Sequence, residues 1–585
     1  MSNERHRLVV GVDFGTTYSG LAYIHTTEPD YKNIEVIDSW PGRGNTNHAK
    51  VPTEISYSES GATWGYDIPP NGIRHGFFKL LLDVNAAATQ YDNPRLATSN
   101  PQSMESSYAN IPLPAGKTAA ETTTDYLKLL YTHLMKTLQQ RFICTLYNTP
   151  IQFVLTTPAI WSHEAQNATC QAAKDAGFTS RAGDTLTMVS EPEAAASYCL
   201  KEFYHERSNS DSPLKPGERI VICDAGGGTA DLITYTVEKV SPMLSLCEAV
   251  VGSGGKCGSV AVDRAFLSLL ESRIGPSFRG WPARKTAPQS SLMRSFDTAK
   301  KEFGTTTRTD FWRIPVGYVR DDPKNGIEDG ELRLTVADMK GLFDPIVKQV
   351  ISLVEQQVRD SNKLDSSNKV STIFLVGGFG ESAYLYKEMQ AGVRRQSYHI
   401  RVINPNFSWS AVVRGSVLHG VQGIVHTRKL KQHYGMRLGI EFKPGVHDEE
   451  DSYINPFDEI KYTRDNVKWV ARKGDDANNE KVISIPCVNS FLPGNKRTIK
   501  LTLVGCKFDN PPRSAKHWMV DTLGTVICDV SMMPPSAFQV KRSGAFFQNA
   551  VSRASYTIDM KVGSADLELD LMHAGKSYGK ARIEY

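Results

Sequence analysis

Asp13 and Asp224 each stand at the end of an apolar run and at the start of a turn rich in glycine and hydroxyl groups. The first context is VVGVDFGTTYSG, Val9 to Gly20, and the second is IVICDAGGGTADLITY, Ile220 to Tyr235. A tight turn with Gly15 lets backbone come close to a ligand. Its N–H groups can converge on an anion, and Thr16, Thr17 and Tyr18 add side-chain hydroxyls. The second turn offers Gly226, Gly227, Gly228 and Thr229, so mostly backbone meets the ligand there. A carboxylate in such a turn repels phosphate unless a cation lies between them. Mg²⁺ suits that place, because it keeps several waters and bridges carboxylate to phosphate. One strand–Asp–Gly turn is mostly just a turn. The recurrence of two, each leaving an apolar strand, points to a nucleotide triphosphate gripped from both sides, with Asp13 and Asp224 on the metal. The obvious competitor is a Walker loop, but GSGGKCGS, residues 252–259, lacks the GxxxxGK[ST] spacing.

Such turns need strands to aim them and helices to cover the strands. RLVVGVDFG, SGLAYIHT and NIEVIDSW read as strands within residues 1–40. Residues 41–115 are richer in Gly, Pro, Asn and Ser and read as an inserted subdomain. A helix follows over 122–142, then the strand IQFVLTTPA and a helix through SHEAQNATCQAAKDAGF, closed by Gly177. The second half repeats the plan: RIVICDAGGG, DLITYTVEKV and SLCEAVVGSGG as strands, a second insertion over 260–320, a long helix from Val336, the strand STIFLVGGFGES and the helix AYLYKEMQAGV. Alternating strands and helices of this kind imply α/β layers. Near residue 425 the helical period ends. RTIKLTLVG, SYTIDMKV and ADLELDLMH alternate apolar and polar residues, separated by turn signals such as PGNK and DNPP. The expected division is therefore an α/β region over 1–425, an exposed basic linker over 426–433 with Arg428, Lys429 and Lys431, and an antiparallel β-sandwich over 434–585.

Composition narrows the class. The 585 residues are three to five domains' worth at roughly 100–200 residues each. A net charge of +4, from 67 basic and 63 acidic residues, gives no general attraction to nucleic acid. No run of about 18 apolar residues suggests a membrane span. The polar start MSNERHR is unlike a signal peptide, and GKARIEY is no retention or lipidation signal. Nine scattered cysteines without a CxxC pair read as free thiols of an intracellular protein. No HExxH-type spacing suggests a structural metal. A cytoplasmic location is expected, with the nucleus as the alternative.

GVDFGTTYSG, VICDAGGGTAD and IFLVGGFGES resemble the two phosphate motifs and the adenosine motif of the actin-like ATPase superfamily. KVPTEISY, VLTTPAIWSHEAQNATCQAAKDAGF, SEPEAAASYCL and AKKEFGT further resemble segments of the seventy-kilodalton heat-shock chaperone (DnaK-like) family, in the same order over residues 9–425. The resemblance implies a two-lobed actin-like ATPase fold, built from duplicated ribonuclease-H-like domains and followed by a peptide-binding β-sandwich. It implies ATP or ADP with Mg²⁺. Asp13 and Asp224 would hold the metal through water, with Gly15, Thr16, Thr17, Tyr18, Gly226, Gly227, Gly228 and Thr229 on the phosphates. Glu191 would help place the attacking water. Asp297, Lys300, Lys301, Gly377, Gly378 and Glu381 would lie at the nucleoside. Lys79 matches the family's catalytic lysine loosely; its alternative is a surface lysine on an amphipathic helix, beside Phe78 and Leu82.

Departures from the family pattern are equally specific. Gln166 stands where the family has an arginine coupled to a switch proline, here Pro158. Lys301 and Glu381 replace the two arginines that hold adenine. No helical lid, leucine-rich linker or acidic tail follows the family's layout. These features place the chain nearest the branch typified by the animal heat-shock 70-kDa protein 12 group. Three functions result: a chaperone-like ATPase binding extended polypeptide, with exchange factors or J-domain proteins as partners; a nucleotide-gated scaffold or sensor with little turnover; and, last, a sugar kinase of the same superfamily.

Overall fold

A computed structural model of the chain describes residues 6–44, 46–83, 113–143, 145–207, 214–240, 244–305, 310–365, 368–396, 399–478, 482–492, 494–541, 550–563, 567–580 and 582–584. Part of the expected insertion over 41–115 lies outside the described residues. The chain divides into two compact units, residues 1–425 and 426–585.

In the first unit, Leu8–Asp13 is fully buried and apolar up to its terminal aspartate. It pairs antiparallel with Tyr18–His25 on one side and parallel with Ile151–Thr157 on the other. Glu35–Val36 and Thr185–Ser190 complete the row. A second sheet repeats the order and sense of these strands. Arg219–Ala225 pairs antiparallel with Ala230–Lys239 and parallel with Val370–Val376. Ser245–Glu248 and Arg401–Ile403 flank them. In each sheet a central strand thus ends in an Asp-containing turn beside its hairpin partner.

Two helices, Glu191–Arg207 and Ala411–Val421, supply the core that the sheets share. Val9 and Val154 of the first sheet, Ile220, Ile222 and Val376 of the second, and Ala194, Val413 and Val417 of the helices form one buried cluster. The helices touch backbone to backbone at Gly415, where a Cβ would fall 1.7 Å from the Ala194 carbonyl oxygen. Gly11 and Gly420 admit the same helix to the sheet: a Cβ on either would meet Ser416 Oγ at 2.2 Å or Val9 Cγ1 at 2.5 Å. A second cluster covers the other face of the second sheet, under Val260–Ile274, Ser291–Glu302 and the long Val336–Leu364 helix.

The second unit contains two five-stranded antiparallel sheets. One runs through His433–Arg437, Thr498–Cys506 and Asp521–Asp529, the other through Ile483–Phe491, Val551–Val562 and Leu567–His573. Their inward residues, among them Met436, Leu503 and Val526 from one and Ile485, Ile558 and Leu571 from the other, form a single core. The basic stretch expected as an exposed linker is not one. Thr427, Arg428 and Lys429 pair with Asn478, Ala477 and Asp476, and Arg428, Leu430 and Gln432 are buried. Ladder bonds and burial of the Arg428 stem outweigh its surface chemistry.

Gly415→Ala should force the two helices apart. Overpacking of this kind costs about 1–3 kcal/mol and more when backbone is the obstacle. A drop in the denaturant midpoint is expected, and an unchanged midpoint would show that the helices are not so closely seated.

Candidate functional site

The two Asp turns meet. A Cβ on Gly227 would fall 2.3 Å from Thr17 Oγ1, and one on Gly228 2.7 Å from Thr16 Oγ1. The hydroxyls of the first turn therefore fill the space that side chains on the second would need. The second turn is closed by a Gly226 N–H bond to the Thr229 carbonyl at 2.9 Å. It is backed by residues 258–260, whose N–H groups donate to the carbonyls of Gly228, Gly226 and Gly227. The Gly15 carbonyl accepts from Thr53 Oγ1 at 2.8 Å, which ties the first turn to the neighbouring strand. Tyr18 accepts from Gln289 Nε2 at 2.9 Å and sits edge-on to Trp409 at 5.5 Å. Burial, with Asp297 nearby, pushes its phenol above the ordinary range, so it stays neutral.

Behind these turns lies a buried group of charges. Lys79 Nζ donates to Glu191 Oε1 at 2.7 Å. The lysine side chain is 1% exposed and lies near the rings of Phe14 and Trp161. The surface alternative for Lys79 is thereby overturned. Its turn, Phe78–Leu82, is a 3₁₀ helix entered through Phe77 at φ 58°. A bulky residue in the left-handed region is a strained arrangement, and here it turns Lys79 inward. Glu191 opens the Glu191–Arg207 helix, directly after the Thr185–Ser190 strand. Burial pushes its carboxyl up to about 7, helped by Asp13 and Asp231 and opposed by Lys79.

Asp13 accepts from Lys50 Nζ at 2.6 Å through one oxygen and from Thr156 Oγ1 at 3.2 Å through the other. Asp224 is buried beside Gly377, whose Cβ, if present, would lie 2.3 Å from Asp224 Oδ1. With φ 85°, Gly377 takes a conformation that suits glycine alone at this close approach. Burial, reinforced by Glu191, Asp231 and Asp13, raises the Asp224 carboxyl well above the ordinary carboxylate range, and Lys50 offsets this only in part. Lys50, Thr156, Asp231 and Trp409 were not singled out from sequence. Asp231 had a signal: it lies opposite Asp224 in the hairpin register, and like charges so placed disfavour a strand pair. Its Oδ1 accepts the Ile160 N–H at 3.1 Å.

The expected nucleoside residues gather less tightly. Lys300 is paired with Asp263 at 2.7 Å and Asp297 at 3.5 Å, and Lys301, exposed, with Asp297 at 2.7 Å. Glu381 accepts from the Trp409 N–H at 3.1 Å and Ser408 Oγ at 3.2 Å, bracing the turn after Phe407. Gly378 passes against the Trp409 indole, 3.4 Å from where its Cβ would be. Gln166 is buried, and neither of its amide atoms has a hydrogen-bond partner among the described residues.

Among the described residues no three His, Cys, Asp or Glu side chains are disposed to ligate a metal directly. The acid surplus instead fits a hydrated divalent cation. Lys50 pairs with Asp13 and Lys79 with Glu191, while Asp13 and Asp231 both raise the Glu191 and Asp224 carboxyls. Two repeated sheets that meet at Asp–Gly turns, with an ion-paired Glu–Lys behind them, define a nucleotide-binding ATPase domain of the actin-like class. Comparison with known sequences agrees: the family model for Hsp70 protein matches residues 130–461, more than half of the chain. The chain belongs to the Hsp70 family. It is 28% identical to human Heat shock 70 kDa protein 12B over 546 residues, covering 79% of this chain and 74% of that protein. Human Heat shock 70 kDa protein 12A is 26% identical over 543 residues, 79% and 75% of the two chains. Chaperone protein DnaK of Elusimicrobium minutum (strain Pei191) is 29% identical over 228 residues, 38% of this chain and 32% of that one. The chain is a divergent family member near the 12A and 12B branch. No helix among the described residues is long and apolar enough to cross a membrane.

The raised Asp224 carboxyl sets a pH dependence of stability. The folded chain holds this proton to higher pH than the unfolded chain, which releases it near about 3.9. Above that value the native state binds more protons, so stability falls as pH rises towards the folded value. Asp224→Asn removes this loss. Its melting temperature, relative to the wild type, should rise from pH 4 to pH 8. A difference independent of pH would contradict the burial of an ionisable carboxyl there.

Proposed function

We propose that residues 1–425 form a two-lobed domain that binds ATP with Mg²⁺ between the two turns and hydrolyses it slowly. The buried Lys79–Glu191 pair carries this reading. A purely structural turn-to-turn contact has no need of an ionised pair beside two further aspartates. Thr16, Thr17 and Thr229, with the backbone of residues 15–18 and 226–229, would hold the phosphates. Asp224 and Asp13 would hold waters of the cation, which would supply charge neutralisation for the phosphates. Glu191 would orient and deprotonate the attacking water, and Lys79 would keep its carboxylate in place. Because the turns touch through Thr17–Gly227 and Thr16–Gly228, phosphate entry would separate them, which makes the cleft responsive to its ligand.

Residues 434–585 would then be a β-sandwich of the kind that binds extended polypeptide through backbone hydrogen bonds and a few buried side chains. The chaperone role, with co-chaperones of the exchange-factor or J-domain type, belongs to this reading. A second reading, a nucleotide-gated scaffold, draws support from Lys301, Glu381 and Gln166. The first two are engaged with Asp297 and Trp409, and a lysine or glutamate stacks poorly on an adenine ring. A sugar kinase gives no role to residues 434–585, which leaves that reading last.

Single-turnover hydrolysis of ATP, with and without an unfolded polypeptide, tests these readings. Lys79→Met and Glu191→Gln should each slow the chemical step by about 10²–10⁴-fold while ATP still binds. The wild-type rate should rise with pH through about 7, as Glu191 ionises. Wild-type turnover equal to that of both variants would leave the scaffold reading standing and remove the ATPase one.

A further inference from the structure

Lys50 has no part in the chemistry argued so far, yet it is the cation nearest the metal-side carboxylate. Its Nζ lies 2.6 Å from Asp13 Oδ2, and both side chains are buried. The site is built to hold it. Gly20 leaves room for the stem, since a Cβ there would meet Lys50 Cγ at 3.3 Å and Cε at 3.6 Å. Tyr66 OH donates to the Lys50 carbonyl at 3.2 Å, which fixes the backbone. The residues that follow are held as well: Val51 and Pro52 pair with Ser19 and Tyr18 at the edge of the first turn. The ammonium acts on Asp224 too, whose carboxyl it pulls back towards the ionised form. A positive charge felt by both aspartates of the two turns stands in the role assigned to the hydrated cation.

We propose that Lys50 is a resident counter-cation of the cleft, so that this chain binds nucleoside di- and triphosphates with little dependence on Mg²⁺. The proposal rests on the reading that the two turns hold a nucleotide. With Asp13 paired to Lys50 and Thr156, both of its oxygens are engaged before any metal arrives. Less negative charge then remains to repel phosphate. A lysine ammonium has three donors, and among the described residues the bond to Asp13 is its one hydrogen bond. A divalent cation would then add less to affinity than in a cleft where both aspartates are unpaired.

ADP binding by calorimetry, in Mg²⁺ and in chelator, tests this on the whole chain. The wild type should lose less than about threefold in affinity on chelation, whereas Lys50→Met should lose about tenfold or more, because opposing unpaired charges at short range are costly. If Lys50→Met leaves an unpaired Asp13 that prevents folding, Lys50→Met combined with Asp13→Asn removes both charges and should keep the wild type's small loss, under about threefold, while a loss of about tenfold or more in it would overturn the proposal. A wild type that loses about thirtyfold or more on chelation overturns the proposal, by the same scale of charge effects. A Lys50→Met single variant as indifferent to metal as the wild type overturns it as well. Absence of nucleotide binding in both wild-type conditions would instead remove the cleft reading itself, and the proposal with it.

Discussion

Burying more carboxylate than ammonium in one place is the constraint on which the first unit depends. Asp13, Glu191, Asp224 and Asp231 are held out of water together, with Lys50 paired to Asp13 and Lys79 to Glu191. Charges at such distances in a poorly polarisable interior interact strongly, and an unpaired buried ion is expensive. The arrangement therefore demands a rigid frame, and the frame is visible. Both aspartates end central strands that are paired on each side, and Glu191 opens a helix whose position is fixed by the Gly415–Ala194 contact. Backbone strain occurs in the same region. Phe77 and Phe407 both adopt positive φ, and each leads into a 3₁₀ turn that presents a residue to the site, Lys79 in one case and Trp409 in the other.

The glycines of the cleft have a role beyond ligand access. Gly227 and Gly228 make room for Thr17 and Thr16, Gly377 for the Asp224 carboxylate, and Gly258 for the Gly227 carbonyl. The glycine-rich turns are thus packing surfaces, and phosphate cradles as well in the proposed reading. A ligand entering between them exchanges one set of close contacts for another, so binding energy is available to move the turns. Gln166 is buried without a hydrogen-bond partner among the described residues.

Much of this was legible in the sequence because it rests on local pattern. The apolar runs into Asp13 and Asp224 signalled buried strands, and period-two alternation marked strands beyond residue 497. Lys79 was legible only as a choice between two readings, since one lysine among FFKLLL looks the same whether it faces water or Glu191. Lys50 was missed outright. Nothing in KVPTEISY distinguishes a lysine that folds back on Asp13 from one at the surface, because the deciding feature is the space left by Gly20 thirty residues earlier in the chain. The basic run near residue 430 misled for a related reason: Arg428 buries its stem in a strand, a tertiary choice that charge alone does not forecast.

The central claim is that the two Asp–Gly turns act together as one phosphate clamp. Amide hydrogen exchange, followed at residues 15–18 and 226–229 while ADP is added, addresses it most directly. The account predicts that both turns gain protection over the same range of nucleotide concentration. Protection of one turn alone, or of neither while ADP binds, would contradict it.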